Sequence, residues 1–266
     1  MKGLYFYLLI ILCVNSGVSQ TQRQDTKQGL DLFLLIGQSN MAGRGKLDSL
    51  PVKSDSIWVL NKNNEWVIAT EPLHFDKPVA GAGLAFSFAS DLLKTSPRKI
   101  GLIPCAVGGS SIDAWMPGAT DKATGTMPYD DAVKRAVLAL KSGQLKGILW
   151  HQGESDSNER AAALYEEKFY ALLRHLSRDL DVNLDKIPVI TGELGTFYTS
   201  QEKNKEGLRI NEIFHRIASK KTNVYCVSSS GLTDKGDATH FDTASLRELG
   251  KRYALGYRIV AERLKK

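Results

Sequence analysis

Cysteine is scarce in this chain, which carries three among its 266 residues. Cys13 lies in the N-terminal apolar run, whereas Cys105 and Cys226 lie in or at the end of strand-like apolar runs. An oxidising compartment would permit a disulfide, but we interpret Cys105 and Cys226 as small buried hydrophobic residues. Neither has the spacing of a metal ligand, and the histidines and carboxylates do not cluster at such spacing, so we predict no metal site.

Long runs of one charge are also missing. The chain has 35 Lys and Arg against 29 Asp and Glu, a net charge of +6, and the two signs are interleaved along its length. This pattern indicates solvated surface charge and gives no reason to expect a nucleic-acid partner. No dinucleotide-binding or P-loop fingerprint is present, and we predict no cofactor.

One long apolar run occurs, and it stands at the N-terminus. Lys2 precedes a mostly apolar segment at residues 4–14, and small and polar residues follow up to Ser19. This order is typical of a secretory signal peptide, which we assign to residues 1–19. The run is too short to span a bilayer comfortably. We therefore expect an exported protein, periplasmic or extracellular, with no stable membrane insertion after cleavage and a disordered leader at residues 20–30.

Linkers, repeats and low-complexity segments are absent after residue 30, which predicts one domain at residues 31–266. In this domain, apolar strand-like runs alternate with segments whose apolar residues recur at helical spacing. Such alternation predicts a three-layer α/β/α fold around a five-stranded parallel sheet covered on both faces. The predicted strands lie at residues 33–36, 99–106, 147–150, 187–191 and 224–227.

Two further β-type runs, at residues 57–60 and 65–68, flank an Asn-rich segment at residues 61–64. This arrangement is typical of a β-hairpin. We expect the hairpin to be an excursion from the main sheet and a rim of a substrate cleft.

A short polar segment, Gly37-Gln38-Ser39-Asn40, follows the first strand directly. Ligands of open parallel sheets bind just outside the carboxyl ends of the strands. Ser39 would then stand on a tight turn with its hydroxyl in a crevice, although a serine there could instead cap the next helix. Far along the chain, Asp237 and His240 supply an acid and a base three residues apart.

A serine hydroxyl is a poor nucleophile at neutral pH and needs an adjacent base. His240 is the candidate base, and Asp237 can reach its other ring nitrogen and select the tautomer. The competing interpretation of His240 is a surface histidine near a helix start. Glu154 is ambiguous, because it could support His240 or hold its own loop together. We assign His151 a structural role.

Four segments in this order resemble the SGNH hydrolase superfamily, in the variant seen in sialate O-acetylesterase-like domains and carbohydrate esterase family 6. The resemblance extends from about residue 31 to the C-terminus, and it implies a flavodoxin-like strand order of 2-1-3-4-5. The matching segments are Gly37-Gln38-Ser39-Asn40-Met41, residues 108–115, residues 151–156 and Asp237-Ala238-Thr239-His240.

The resemblance also implies an oxyanion hole built from the backbone N–H groups of Ser39 and Gly108 and the side-chain amide of Gln152. The wider superfamily has asparagine where this chain has Gln152, so the longer amide would take the donor role. The glycine-rich turn around Gly108 suits such a donor on its own. We expect substrate contacts from residues near these segments and in the loop that follows the hairpin, namely Gln38, Asn40, Trp115 and His74.

We favour a secreted serine esterase that removes O-acetyl groups from carbohydrates, with acetylated xylan or a related plant polysaccharide as substrate. A sialate O-acetylesterase is the alternative within this class. Two other classes compete: a non-catalytic carbohydrate-binding domain of the same fold, and a retaining glycosidase that uses Glu154. A glycosidase needs a second carboxylate roughly 5–5.5 Å from the first, and no second carboxylate has a comparable claim.

Overall fold

The computed structural model describes residues 29–47 and 54–266. The predicted signal peptide at residues 1–19, with Cys13, and most of the predicted leader lie outside this range. The first strand begins at Leu30, one residue before the predicted start of the domain. The strands are β1 (Leu30–Gly37), β2 (Ile57–Leu60), β3 (Trp66–Ile68), β4 (Ile100–Pro104), β5 (Gly143–His151), β6 (Val189–Gly192) and β7 (Val224–Val227). The helices are α1 (Ser39–Ala42), α2 (Leu84–Leu93), α3 (Pro128–Ala139), α4 (Glu159–Asp179), α5 (Thr196–Thr199), α6 (Glu206–Lys220) and α7 (Thr243–Arg263).

The described strands form one sheet in the order β3-β2-β4-β1-β5-β6-β7. Five of these strands, β4-β1-β5-β6-β7, have the expected order 2-1-3-4-5 and are parallel. The strand count is corrected from five to seven, because the hairpin is not an excursion from the sheet. β2 pairs in parallel with β4, and β3 pairs antiparallel with β2. Ile57 and Val59 are buried, so β2 extends the apolar core while it pairs the free edge of β4.

The alternation of side chains along β1 divides the core into two layers. Leu32 and Leu34 belong to the cluster covered by α3, α4 and α6, whereas Phe33 and Leu35 belong to the cluster covered by α2 and α7. All four side chains are essentially inaccessible to solvent. A strand buried on both faces explains the continuous apolar run in the sequence.

The sheet order reverses at β1, which lies between β4 and β5. This is a topological switch point, where the loops at the carboxyl ends of neighbouring strands separate and leave a crevice. Gly37 ends β1 with φ of +129°, and a Cβ there would lie 2.2 Å from the carbonyl oxygen of His151. Only glycine allows β1 to turn sharply toward Ser39 beside β5.

No helix in the described ranges is both long enough and apolar enough to cross a membrane. Cys105 and Cys226 are free thiols in this structure. Burial raises the pKa of Cys105 to about 11 and that of Cys226 to about 12. Both thiols are therefore uncharged at neutral pH.

Candidate active site

Ser39, His240 and Asp237 form one hydrogen-bonded chain at the carboxyl edge of the sheet. Nε2 of His240 lies 3.0 Å from the Ser39 hydroxyl, and Nδ1 of His240 lies 2.8 Å from Oδ2 of Asp237. Ser39 comes from the turn after β1, and the other two residues come from the loop between β7 and α7. With a proton on Nδ1 held by the carboxylate, Nε2 is free to accept the serine proton. The geometry matches that of a serine nucleophile, its base and an orienting carboxylate.

Asp237 is fixed by its own loop as well as by the imidazole. Its Oδ1 accepts the backbone N–H groups of His240 at 2.8 Å and Thr239 at 3.0 Å, which leaves Oδ2 directed at the ring. Burial alone would raise the pKa of Asp237, but the hydrogen bonds from His240 and Thr239 lower it to about 2. Lys235 lies 3.4 Å from Oδ2 as well. The carboxylate is therefore ionised at neutral pH.

Asn40, the residue after Ser39, connects the serine turn to the loop that carries His240. Its amide nitrogen donates to Oε1 of Glu154 and to the carbonyl oxygen of Thr239, and its amide oxygen accepts the N–H of Phe241. Thr239 and Phe241 flank His240 in sequence. One buried side chain thus holds the histidine loop against the serine turn.

Glu154 makes no hydrogen bond to His240 in this structure and instead accepts one from Asn40 at 2.5 Å. Its second oxygen, Oε2, is buried and has no hydrogen-bond partner among the described residues. Burial raises the pKa of Glu154 to about 7, and the hydrogen bond from Asn40 only partly offsets this effect. Of the two carboxylates considered for His240, the geometry pairs Asp237 with the imidazole and places Glu154 behind Asn40.

The backbone N–H of Gly108 is not free to bind an oxyanion. It donates to Oδ2 of Asp76 at 2.8 Å, and the same oxygen accepts the Arg44 guanidinium at 2.6 Å. The side chains of Arg44 and Asp76 are 4% and 1% exposed, so this ion pair is buried. The expectation for Gly108 is therefore corrected, because its donor is already engaged by a buried carboxylate. Ser39 and Gly109 do line the cleft, and the hydrogen bonds within the described ranges give neither backbone N–H an acceptor.

The side-chain amide of Gln152 is likewise engaged inside the protein. Its nitrogen lies 2.5 Å from Oδ2 of Asp156 and 3.1 Å from both Oε1 of Gln38 and the carbonyl oxygen of Ser110. Tyr165 donates to its oxygen at 2.7 Å, and the residue has no exposed surface. This contradicts the expectation that Gln152 reaches an oxyanion. The amide instead joins the loops that follow β1, β4 and β5.

The hydroxyl of Ser39 opens onto a cleft of about 410 Å³. Within the described residues, no three histidine, cysteine or acidic side chains are grouped so that they could hold a metal ion. The cleft is lined by residues that follow five strands (β1, β4, β5, β6 and β7) and by residues of the loop before α2, namely Gln38, Ser39, Arg44, Lys77, Val79, Gly108, Gly109, Glu154, Ser155, Tyr198, Thr239 and His240.

Comparison with known proteins identifies the family. Residues 29–258 match the model of the family described as "Carbohydrate esterase, sialic acid-specific acetylesterase". The chain belongs to this carbohydrate esterase family.

Individual relatives agree with the assignment of this chain to the esterase family. A probable carbohydrate esterase of Arabidopsis thaliana is 33% identical over 249 residues, which cover 85% of this chain and 89% of that protein. An X-ray structure of an Arabidopsis thaliana protein superposes with a TM-score of 0.75 at 31% identity and covers 86% of this chain and 98% of the other. The sialate O-acetylesterase of Homo sapiens is 30% identical over 181 residues, which are 54% of this chain and 34% of that protein.

Three of the four expected substrate contacts of the esterase do not lie in the cleft. Trp115 has no exposed surface and packs edge-on against Trp150, with its ring nitrogen bonded to Ser110. His74 is 3% exposed, and burial lowers its pKa to about 4. Asn40 is 1% exposed and fully used in holding the histidine loop. These expectations are corrected, because all three side chains are core components. Gln38, by contrast, does line the cleft.

Sequence reasoning missed the cationic end of the cleft. Arg44 and Lys77 both line it, and Arg44 is paired with Asp76. A signal was present for Arg44, which lies three residues after the serine segment. Asp76 and Lys77 carried no such signal, because they lie in a loop whose fold depends on its contact with Gly108.

Proposed function

We propose that this esterase hydrolyses O-acetyl esters of carbohydrates, with Ser39 as nucleophile, His240 as general base and Asp237 as the orienting carboxylate. The observation that supports this most directly is the unbroken hydrogen-bonded chain of Ser39, His240 and Asp237 in a cleft. A binding domain without catalysis has no need of this chain. Membership of a carbohydrate esterase family supports the ester as the bond that is cleaved.

In this mechanism the Ser39 oxygen attacks the acetyl carbonyl carbon while its proton passes to Nε2 of His240. The tetrahedral intermediate collapses, the bond to the sugar oxygen breaks, and the imidazolium protonates that oxygen to give the free sugar hydroxyl. Water then attacks the acetyl-serine while His240 accepts its proton. The bond between the acetyl carbon and the Ser39 oxygen breaks, acetate leaves, and the imidazolium returns the proton to Ser39. Asp237 stabilises the imidazolium during both halves of the cycle.

We assign the oxyanion to the backbone N–H groups of Ser39 and Gly109. Both residues line the cleft, and neither N–H has an acceptor within the described residues. The N–H of Gly108 and the amide of Gln152 are engaged elsewhere, as described above. Removal of one such donor costs about 3–4 kcal/mol of transition-state stabilisation in comparable enzymes.

The decisive test is acetate release by the Ser39→Ala variant. We expect the loss of measurable turnover with thermal unfolding unchanged, because the hydroxyl is removed from a turn whose backbone contacts remain. Ser219→Ala serves as the matched control, since its hydroxyl bonds only to a carbonyl oxygen in its own helix. Turnover at the wild-type rate in Ser39→Ala would contradict the assignment.

The substrate preference expected from the sequence was acetylated xylan, with O-acetylated sialic acid as the alternative. Lys77 in the cleft supports the alternative, because its ammonium group can pair with the carboxylate of a sialic acid. The assay compares acetate release from acetylated xylan and from O-acetylated sialic acid. If sialic acid is the substrate, Lys77→Gln raises KM for it and leaves a neutral acetyl ester unaffected.

We also propose export, with cleavage after Ser19. The support is the arrangement of charged, apolar and small residues at the N-terminus. Sequencing of the N-terminus of the protein recovered outside the cytoplasm tests this. A mature protein that retains Met1 would contradict it.

A further inference from the structure

A second cavity of about 320 Å³ lies beside the catalytic cleft. The two cavities are neighbours along the chain, because Val107 lines the second and Gly108 lines the first. Asp76 lines the second cavity and also bonds to Gly108 and Arg44 of the cleft. Asp76 and the Val107–Gly108 peptide therefore form part of the wall between them. The second cavity is lined by Lys62, Asn64, Phe75, Asp76, Cys105, Ala106, Val107, Thr126, Asp131, Lys134 and Arg135.

Asp76 offers an unused hydrogen-bond acceptor at this wall. Its Oδ2 is shared by Arg44 and Gly108, whereas Oδ1 is buried without a partner among the described residues. A buried carboxylate oxygen without a donor is costly unless a ligand or water supplies one. A hydroxyl group can supply that donor.

The charges of the lining are mixed. Lys62, Lys134 and Arg135 are cationic, Asp76 and Asp131 are anionic, and an amide and a hydroxyl complete the polar set. An anion would meet two carboxylates, and a cation would meet three positive groups. A neutral ligand with several hydroxyls suits both signs, because each hydroxyl can donate to a carboxylate and accept from an ammonium or guanidinium group.

Phe75 adds an exposed aromatic ring to this lining. The ring is 46% exposed, and the guanidinium carbon of Arg135 lies 4.9 Å from its centroid. Arg135 is held by the carbonyl oxygens of Leu60 and Asn61 and by the side chain of Asn64. The hairpin thus fixes the guanidinium that packs on the ring. A rigid, exposed aromatic ring between hydrogen-bonding groups can stack on the apolar face of a sugar.

We propose that the second cavity is an accessory glycan subsite, which holds a neutral sugar residue of the same chain whose acetyl ester lies at Ser39. This proposal rests on the proposed function, because the acetyl ester at Ser39 sets the position of the glycan relative to the second cavity. It adds that the substrate is an oligosaccharide and that Phe75 contributes to its recognition. The hairpin loop, expected to form a rim of the catalytic cleft, would then serve as the rim of this subsite instead.

The first test measures binding without catalysis. The Ser39→Ala protein is titrated with xylotetraose and with xylose by calorimetry. We expect saturable binding of the tetrasaccharide, much weaker binding of xylose, and a 3- to 10-fold loss of affinity when Phe75→Ala is added. Phe75→Leu keeps an apolar side chain and removes the ring, so it should lose affinity similarly without loss of folding. Leu208→Ala is the control, because Leu208 is 51% exposed on α6 at the other end of the sheet.

The second test uses the active protein. Phe75→Ala should raise KM for acetylated xylotetraose about 3- to 10-fold and leave turnover of 4-nitrophenyl acetate unchanged, because the small ester does not reach the second cavity. Equal affinity for xylotetraose in all variants, or no saturable binding of it, would overturn the proposal. Failure of the triad assignment would appear instead as turnover by Ser39→Ala. The binding result does not depend on that outcome.

Discussion

Replacement of Asp237 by asparagine tests the catalytic geometry most sharply. Oδ1 of Asp237 accepts two backbone N–H groups, so an amide at this position keeps its oxygen there and directs its NH₂ group at Nδ1 of His240. Flipping the amide would place the NH₂ group against two N–H donors. The imidazole would then carry its proton on Nε2, where it cannot accept the proton of Ser39.

The expected loss can be bounded. In a serine protease with a buried aspartate, the same change lowers kcat by about 10⁴. The side chain of Asp237 is 38% exposed, so water can partly replace the carboxylate beside the imidazole. We therefore expect a smaller loss for Asp237→Asn, by a factor of about 10²–10³ in kcat with little change in KM.

The assay is acetate release from a small acetyl ester at saturating and limiting substrate. Asp234→Asn is the matched control, because the side chain of Asp234 accepts the N–H groups of Gly236 and Ala238 in the same loop, whereas among the described residues the ring of His240 is bonded to Asp237 and Ser39. A loss of kcat that is equal in the two variants would mean that loop structure, not tautomer selection, is responsible. A greater loss of kcat in Glu154→Gln than in Asp237→Asn would refute the pairing of Asp237 with His240.

Three further changes address stability and the cleft wall. The pKa of Glu154 is about 7 in the folded protein against 4.5 in its ordinary state, so its contribution to stability is full below pH 4.5 and is lost as the pH rises to 7. Between pH 4.5 and 8 the unfolding free energy of the wild-type protein should therefore fall by roughly 3 kcal/mol because of Glu154, and Glu154→Gln should not show this fall. Urea unfolding at the two pH values measures the difference. Gln152→Ala should lower the unfolding free energy by about 2–4 kcal/mol, since it removes one buried hydrogen bond from each of Asp156 and Tyr165; an unchanged stability with a reduced kcat would restore the oxyanion role. Gly108→Ala places a Cβ 2.2 Å from Nη2 of Arg44, so we expect lower kcat and a lower melting temperature, and wild-type values for both would show that the Arg44–Asp76 pair can move freely.

Local patterns in the sequence were sufficient to place the five strands of the parallel sheet, whereas their order was implied by the family resemblance. Strands buried on both faces need continuous apolar runs, and β1, β4, β5, β6 and β7 each carry one. The parallel arrangement then brings the residues after each carboxyl end to one edge of the sheet. Ser39 and His240, 201 positions apart, are joined in this way. The spacing of Asp237 and His240 also carried information, because a short turn can close a carboxylate onto an imidazole.

Features that depend on tertiary contacts were not predictable. The hairpin had the pattern of two strands, but nothing local indicated that β2 would pair with β4. Trp115 and His74 had residue types that suit a substrate cleft, and their burial follows only from the packing around them. Gln152 has the chemistry of an oxyanion donor, and its acceptor groups come from three different loops.

Asp76 shows why the donors of an oxyanion hole cannot be read from a glycine-rich turn. The turn after β4 offers the N–H groups of Gly108 and Gly109, and the two are equivalent in the sequence. A carboxylate from a loop more than 30 positions earlier accepts the first of them, and it can lie there because Arg44 neutralises it in a buried setting. With Gly108 fixed in this direction, Gly109 is left as the donor of the turn that can face the cleft. In the proposed mechanism, the choice of oxyanion donor thus depends on an ion pair that belongs to neither the turn nor the proposed catalytic residues.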